Sequence, residues 1–276
     1  MTDETPQIFS DLSLSRRLER TEARGNAEFV EARAKVFPAS GACWMEAAGT
    51  YAMFDGVASP VTQTFGLGMF AEPTAEDLAR IEEFFRERAA PTFHEVSPLA
   101  DAATPALLNG RGYRPVEFTN VMFRALRPGA RPAGRRDEAV SVRAVGGDEH
   151  ELWAQTSARG WSESGYGDFM LGLARVSAKR ADVISFVAEL EGRPVATGAM
   201  SVCEGVALLA GASTVPEARN RGAQLALLDA RLRHAAELGC DLAMMCALPG
   251  TPSQRNAERQ GFRIAYTRIK WQLHPG

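Results

Sequence analysis

The sequence predicts an α/β (α+β) protein built as two consecutive units, each a mixed, mostly antiparallel sheet flanked by helices. Three observations carry this. At 276 residues the chain suits two units of about 100 to 200 residues better than one. The segment from Arg127 to Arg136 holds two prolines, two glycines and no apolar periodicity, and it falls near the midpoint, as a linker would. On either side of it the same order recurs: helix, extended segment, short helix, a Gly-aromatic-Arg triplet, strand. Gly112 and Gly261, 149 positions apart, set the register of that repeat. The units are expected over 1–127 and 139–276, joined by 128–138.

In the first unit, the Arg- and Glu-rich stretch Asp11 to Val36 reads as a helix, and Ala42 to Phe54 and Pro60 to Phe70 read as strands. Leu78, Ile81, Phe84 and Phe85 follow helical spacing over Ala75 to Arg88, with Thr74 as N-cap and Asp77 completing a capping box. Glu76 with Arg80, and Glu82 with Arg86, are expected as pairs four residues apart on its wet face. An extended segment (Thr92 to Leu99), a short helix (Thr104 to Asn109) and a strand (Val116 to Leu126) close the unit.

The second unit starts with a strand at Ser141 to Val145. Helices follow at Glu149 to Arg159 and Phe169 to Lys179, joined by a loop containing Trp161 and Tyr166. Three β-type runs, Val183 to Leu190, Pro194 to Val202 and Val206 to Thr214, are separated only by Glu191-Gly192 and Glu204-Gly205, which predicts an antiparallel meander. A helix from Gly222 to Leu238 ends at Gly239, a natural residue just past a helix C-terminus. The nearly unbroken apolar run to Leu248 fits a strand covered on both faces. A short helix (Pro252 to Gln260) and a last strand (Ile264 to Leu273) follow.

Composition removes several classes of function. With 45% hydrophobic and 24% charged residues the chain has material for packed cores, so disorder is excluded. The net charge of −3 is spread over both halves, so neither is a basic module for nucleic acid or an anionic membrane surface. Cys43, Cys203, Cys240 and Cys246 lack metal or redox spacing and read as reduced, buried thiols of a cytoplasmic protein. No metal site, membrane span, nucleophile elbow or Walker loop is found. Gly66 to Ala71 matches a dinucleotide fingerprint, but Pro73 follows directly and no acidic ribose partner falls where one is needed.

The chemistry concentrates at the junction of the third meander strand with the long helix, Thr214-Val215-Pro216-Glu217-Ala218-Arg219-Asn220-Arg221-Gly222-Ala223-Gln224. A helix N-terminus carries unpaired N–H groups and partial positive charge, yet Arg219 and Arg221 stand where an acid is expected. Either both side chains bend into water, or the end binds an anion such as a pyrophosphate.

This Arg-x-x-Gly-x loop lies between a strand and a helix. A strand, a short helix with Asn256, Gly261-Phe262 and a final strand follow, and the whole resembles the GNAT superfamily of N-acetyltransferases over Ser141 to Leu273. The first unit resembles a degenerate second copy, making the protein of the tandem type. The resemblance implies acetyl-CoA as cosubstrate, with its pyrophosphate on the amides of Arg219, Asn220, Arg221, Gly222, Ala223 and Gln224. It places the pantetheine arm beside Thr214 and Val215 in a gap between strands, and Asn256 near CoA. It also implies that Trp161 and Tyr166 line the pocket of an amine acceptor, a small molecule or a peptide.

Several positions depart from the family pattern. Gln224 replaces a small residue, Ala257 stands where a tyrosine often protonates the departing thiolate, and the strand Val206 to Thr214 has no carboxylate. Only one strand follows the last helix where the family has two, so the first unit is expected to complete the sheet. Tyr266 is the candidate for proton handling, with Ser213, Cys246, Tyr166 and water as alternatives. The expected reaction is direct attack of an amine on the thioester. A binding module without turnover, and an acyl group other than acetyl, stay open, as does a homodimer.

Overall fold

The computed structural model describes residues 8–126 and 139–274; the expected linker lies outside them. The chain runs through α1 (Leu12–Val36), β1 (Cys43–Ala47), β2 (Thr50–Phe54), β3 (Gln63–Phe65), α2 (Ala75–Arg86), β4 (Phe93–Val96), α3 (Thr104–Gly110) and β5 (Tyr113–Ala125). It continues through β6 (Val140–Ala144), α4 (His150–Arg159), α5 (Gly167–Ala178), β7 (Val183–Leu190), β8 (Arg193–Cys203), β9 (Val206–Thr214), α6 (Ala223–Glu237), β10 (Leu242–Ala247), α7 (Pro252–Arg259) and β11 (Arg263–Leu273).

Four local expectations are corrected. The run Ala42 to Phe54 is a hairpin, because Ala48 and Gly49 take left-handed φ of 49° and 72°, as a tight turn between twisted strands demands. The strand expected over Pro60 to Phe70 shrinks to three residues, since Gly66 and Gly68 both turn the chain with positive φ. Glu82 does not pair with Arg86: it takes Arg111 and the Tyr113 hydroxyl, while Arg86 pairs with Glu83. Of the thiols expected to be buried, Cys240 alone is, and Cys43, Cys203 and Cys246 are half-buried. The capping box of Thr74 and Asp77 is present.

All eleven described strands form one sheet in the order β1-β2-β3-β4-β11-β5-β10-β9-β8-β7-β6. The last strands of the two sequence halves are exchanged. β5, from the first half, pairs antiparallel with β10 of the second, and β11, from the second, pairs antiparallel with β4 of the first. β5 and β11 pair with each other along most of their length. The strand that seemed to be missing after α7 is thus supplied by β5.

Side-chain alternation assigns the two faces. Ala207, Leu209 and Ala243 pack under α6 with Leu227, Leu228 and Leu232, whereas Val206, Leu242, Met244 and Tyr266 pack under α1 with Leu14 and Leu18. Helix α1 spans both halves: further along, Ala23, Ala27 and Val30 cover Tyr51, Met53 and Phe65. Gly25 permits this crossing, because a Cβ there would stand 3.1 Å from Leu208 Cδ2.

Candidate functional site

Strands β9 and β10 are parallel neighbours over only three Cα pairs, ending at Met244 with Leu208, although β9 runs on to Thr214 and β10 to Ala247. Beyond that point they separate. A register shift between Thr197 and Ala199 marks a bulge where Gly211 takes φ 61°. Ala210, Gly211 and Ala212 are exposed although β9 is an interior strand. The gap therefore offers a slot for an extended ligand. Beneath the bulge, Arg231 of α6 is buried and donates to the carbonyls of Ala199, Ala210 and Leu227 at 3.2 to 3.3 Å. Burial pulls its pKa down to about 10.

From β9 a short 3-10 turn (Pro216–Ala218) leads to Arg219 in extended conformation, then to Asn220 and Gly222 at φ 62° and 78°. Gly222 is the N-cap of α6, which has no side-chain cap and no acid in its first turn. The first helical bond runs from Ala226 N–H to Gly222 O, so the amides of Ala223, Gln224 and Leu225 lack intrahelical acceptors. Asn220, Arg221 and Gly222 are exposed beside them. Left-handed residues followed by a free helix N-terminus form an anion-binding concavity, and these residues fit a pyrophosphate.

The expected site residues divide. Arg219 contributes its backbone to the loop, but its guanidinium, 44% exposed, turns to Glu163 at 2.5 Å and to the Gly160 carbonyl at 3.1 Å. It ties the loop to the α4–α5 connection, where Trp161 and Tyr166 stand 40% and 63% exposed. Gln224 does not crowd the turn: its Nε2 donates to Ser213 O at 2.7 Å and Thr214 Oγ1 at 2.8 Å, bracing the end of β9. Val215 is buried, its N–H bound to Val195 O. Asn256 is exposed on α7, and Ala257 is buried.

Tyr266 is not brought to the loop. It is buried on the α1 side of the sheet, and its hydroxyl donates to Glu19 Oε1 at 2.8 Å. Burial, reinforced by Glu19, pushes its pKa well above the ordinary tyrosine value. Around it lies a cluster that motif reading missed. Arg268 Nη1 reaches Glu22 Oε2 at 2.8 Å and Glu19 Oε1 at 3.3 Å, and its Nε reaches Glu95 Oε2 at 3.0 Å. Lys270 reaches Glu95 Oε1 at 3.2 Å, and Cys246 Sγ donates to Glu22 Oε2 at 3.2 Å. Burial lifts the Glu19 pKa to about 7 although Arg268 pulls it down. The available signal was charge inside β-type runs, at Glu95, Arg268 and Lys270.

Residues 149–262 match the model of the acetyltransferase (GNAT) family, so the second half carries a GNAT acetyltransferase domain, the class of acyl-CoA-dependent acyltransferases. No curated protein matches the sequence. Among solved structures, a GCN5-related N-acetyltransferase from Kribbella flavida has a TM-score of 0.66 at 17% identity, covering 92% of this chain and 96% of its own. A tandem GNAT protein from the clavulanic acid biosynthesis pathway has a TM-score of 0.58 at 15% identity, over 82% and 79%. A GCN5-related N-acetyltransferase from Sphaerobacter thermophilus has 0.57 at 18% identity, over 78% and 73%. These likenesses show that the shared fold extends over most of the chain. No helix of the described residues is long and apolar enough to cross a membrane, and no cluster of three or more His, Cys, Asp or Glu among them could hold a metal.

Proposed function

We propose that the second half, residues 139–276, binds acetyl-CoA and transfers its acetyl group to the amine of a small molecule or peptide by direct attack. The pyrophosphate rests on the amides of residues 220 to 224, the Arg219 amide being taken by Pro216 O, with Arg221 beside it, and the pantetheine arm enters the gap past Thr214. Asn256 borders the nucleotide end, and Trp161 and Tyr166 border the acceptor.

One contrast between the two halves carries this reading. At the corresponding helix of the first half, α2, the N-terminus is closed by the Thr74–Asp77 capping box, and Arg16 Nε occupies the Met69 carbonyl at 2.7 Å in the loop before it. At α6 the same end is uncapped, flanked by arginine and open to solvent. An empty donor array in one copy and a self-satisfied one in the other support a single cosubstrate site, in the second half.

Because a thioester is already activated, positioning the amine supplies much of the rate. The test follows free-thiol release from acetyl-, propionyl- and longer acyl-CoA thioesters over a panel of amino acids, polyamines, aminoglycosides and peptide N-termini. Turnover with acetyl-CoA and at least one amine supports the proposal; binding without turnover throughout the panel refutes transfer.

A further inference from the structure

Strand β9 carries no carboxylate, so the group that takes the proton from the amine must come from elsewhere, and the gap between β9 and β10 shows from where. On β10, Leu242, Met244 and Cys246 alternate toward α1, and Cys246 lies just past the last β9 pair, at the apex of the gap. Its thiol donates to Glu22 of α1. One helical turn further, Gly25 seats α1 on Leu208, the last β9 residue paired with β10. Glu22 therefore overlies the apex of the gap, on the face opposite α6.

The cluster behind Glu22 holds its carboxylate in place. Glu19, Glu22 and Glu95 converge on Arg268, and Lys270 is shared by Glu95 and Glu117, so four carboxylates face two cations. Glu19 is fully buried, and its Oε2 has no hydrogen-bond partner. Glu22 alone of the three on Arg268 reaches solvent, with its side chain 14% exposed against 0% and 4% for Glu19 and Glu95.

We infer that Glu22, contributed by the first half, is the catalytic base of the transferase in the second, with Arg268, Glu19 and Tyr266 as positioning residues behind it. This rests on the acetyl-CoA reading above. The entering neutral amine forms the N–C bond with its lone pair, the C–S bond breaks with its electrons leaving on sulfur, and the nitrogen's proton passes to Glu22. Return of that proton to the thiolate completes an amide and free CoA thiol, and regenerates the carboxylate. The degenerate first half is then a part of the active site.

The test needs no known acceptor. Bromoacetyl-CoA is offered to wild type, to Glu22→Cys and to Glu28→Cys, a control further along α1. A thiol within reach of the acyl carbon displaces bromide and gains a covalent CoA adduct, mapped by mass spectrometry. The inference expects adduct at position 22 at least tenfold above that at position 28 and at the native cysteines, suppressed by excess CoA.

CoA binding by calorimetry without adduct at position 22 overturns the role of Glu22 while sparing the cosubstrate site; no CoA binding by wild type overturns both. The isosteric Glu22→Gln keeps an acceptor for Arg268. With an amine that turns over, its kcat falls about a hundredfold with KM for acetyl-CoA unchanged, and the ascending limb of its pH profile moves to higher pH. An unchanged profile contradicts the assignment.

Discussion

Glu19→Gln should make the protein more tolerant of alkali, and by a calculable amount. Burial raises the Glu19 pKa from 4.5 to about 7 in the folded state, so between those values the folded protein holds a proton that the unfolded chain has released. Stability therefore falls as pH rises through this window, by about 1.4 kcal/mol per unit and about 3 kcal/mol in all, and levels off above pH 7. Below pH 4.5 both states hold the proton and the group contributes nothing. Gln cannot ionise, so the variant lacks this loss. Urea unfolding of both proteins at pH 5, 6, 7 and 8 gives the difference directly. It should move by about 2–3 kcal/mol in favour of the variant between the two ends, since part of the loss has already occurred at pH 5. Parallel curves would refute an ionisable, desolvated Glu19 and the cluster built around it.

Gly160→Ala places a Cβ into Ser213 Oγ and 3.0 Å from Thr214 N, so α4 must move off β9. It should cost about 1–3 kcal/mol in thermal or urea unfolding and weaken acetyl-CoA binding in parallel. Gln224→Ala removes two hydrogen bonds that brace the end of β9 and should cost about 1 kcal/mol, read by urea titration. Residues 139–276 produced alone leave β10 without β5, and β11 without either of its neighbours. Size-exclusion chromatography should show aggregate or oligomer, and a stable monomer would contradict the strand exchange as a requirement for folding.

Most of the elements were legible because their signals are local. The Glu191-Gly192 and Glu204-Gly205 turns marked the meander, and Gly239 marked the end of α6. The order read around Gly112 and Gly261 appears in both halves, as α2-β4-α3-β5 and as α6-β10-α7-β11. The destination of β5 and β11 was not legible, since pairing across the sheet depends on partners far apart in sequence. That β5 would complete the second half's sheet could be inferred only by counting strands.

The loop was readable from Arg219, Arg221 and Gly222, because a missing cap and a misplaced cation are sequence facts. What the side chains then do was not: Arg219 turned to Glu163, and Gln224 found Ser213. Tyr266, the candidate for proton handling, lies in a buried cluster whose members come from α1, β4, β10 and β11. No spacing in the sequence brings Glu19 and Glu22 to Arg268; only the crossing of α1 over both halves does.

The account stands on the uncapped N-terminus of α6 as a pyrophosphate site, and calorimetry with two ligands tests it most directly. Acetyl-CoA and acetyl-pantetheine share the thioester arm, but only the first carries the pyrophosphate. Wild type should bind acetyl-CoA at least a hundredfold more tightly, and Arg221→Glu should shrink that ratio at least tenfold while leaving acetyl-pantetheine binding unchanged. Equal affinity of wild type for both ligands would contradict the claim.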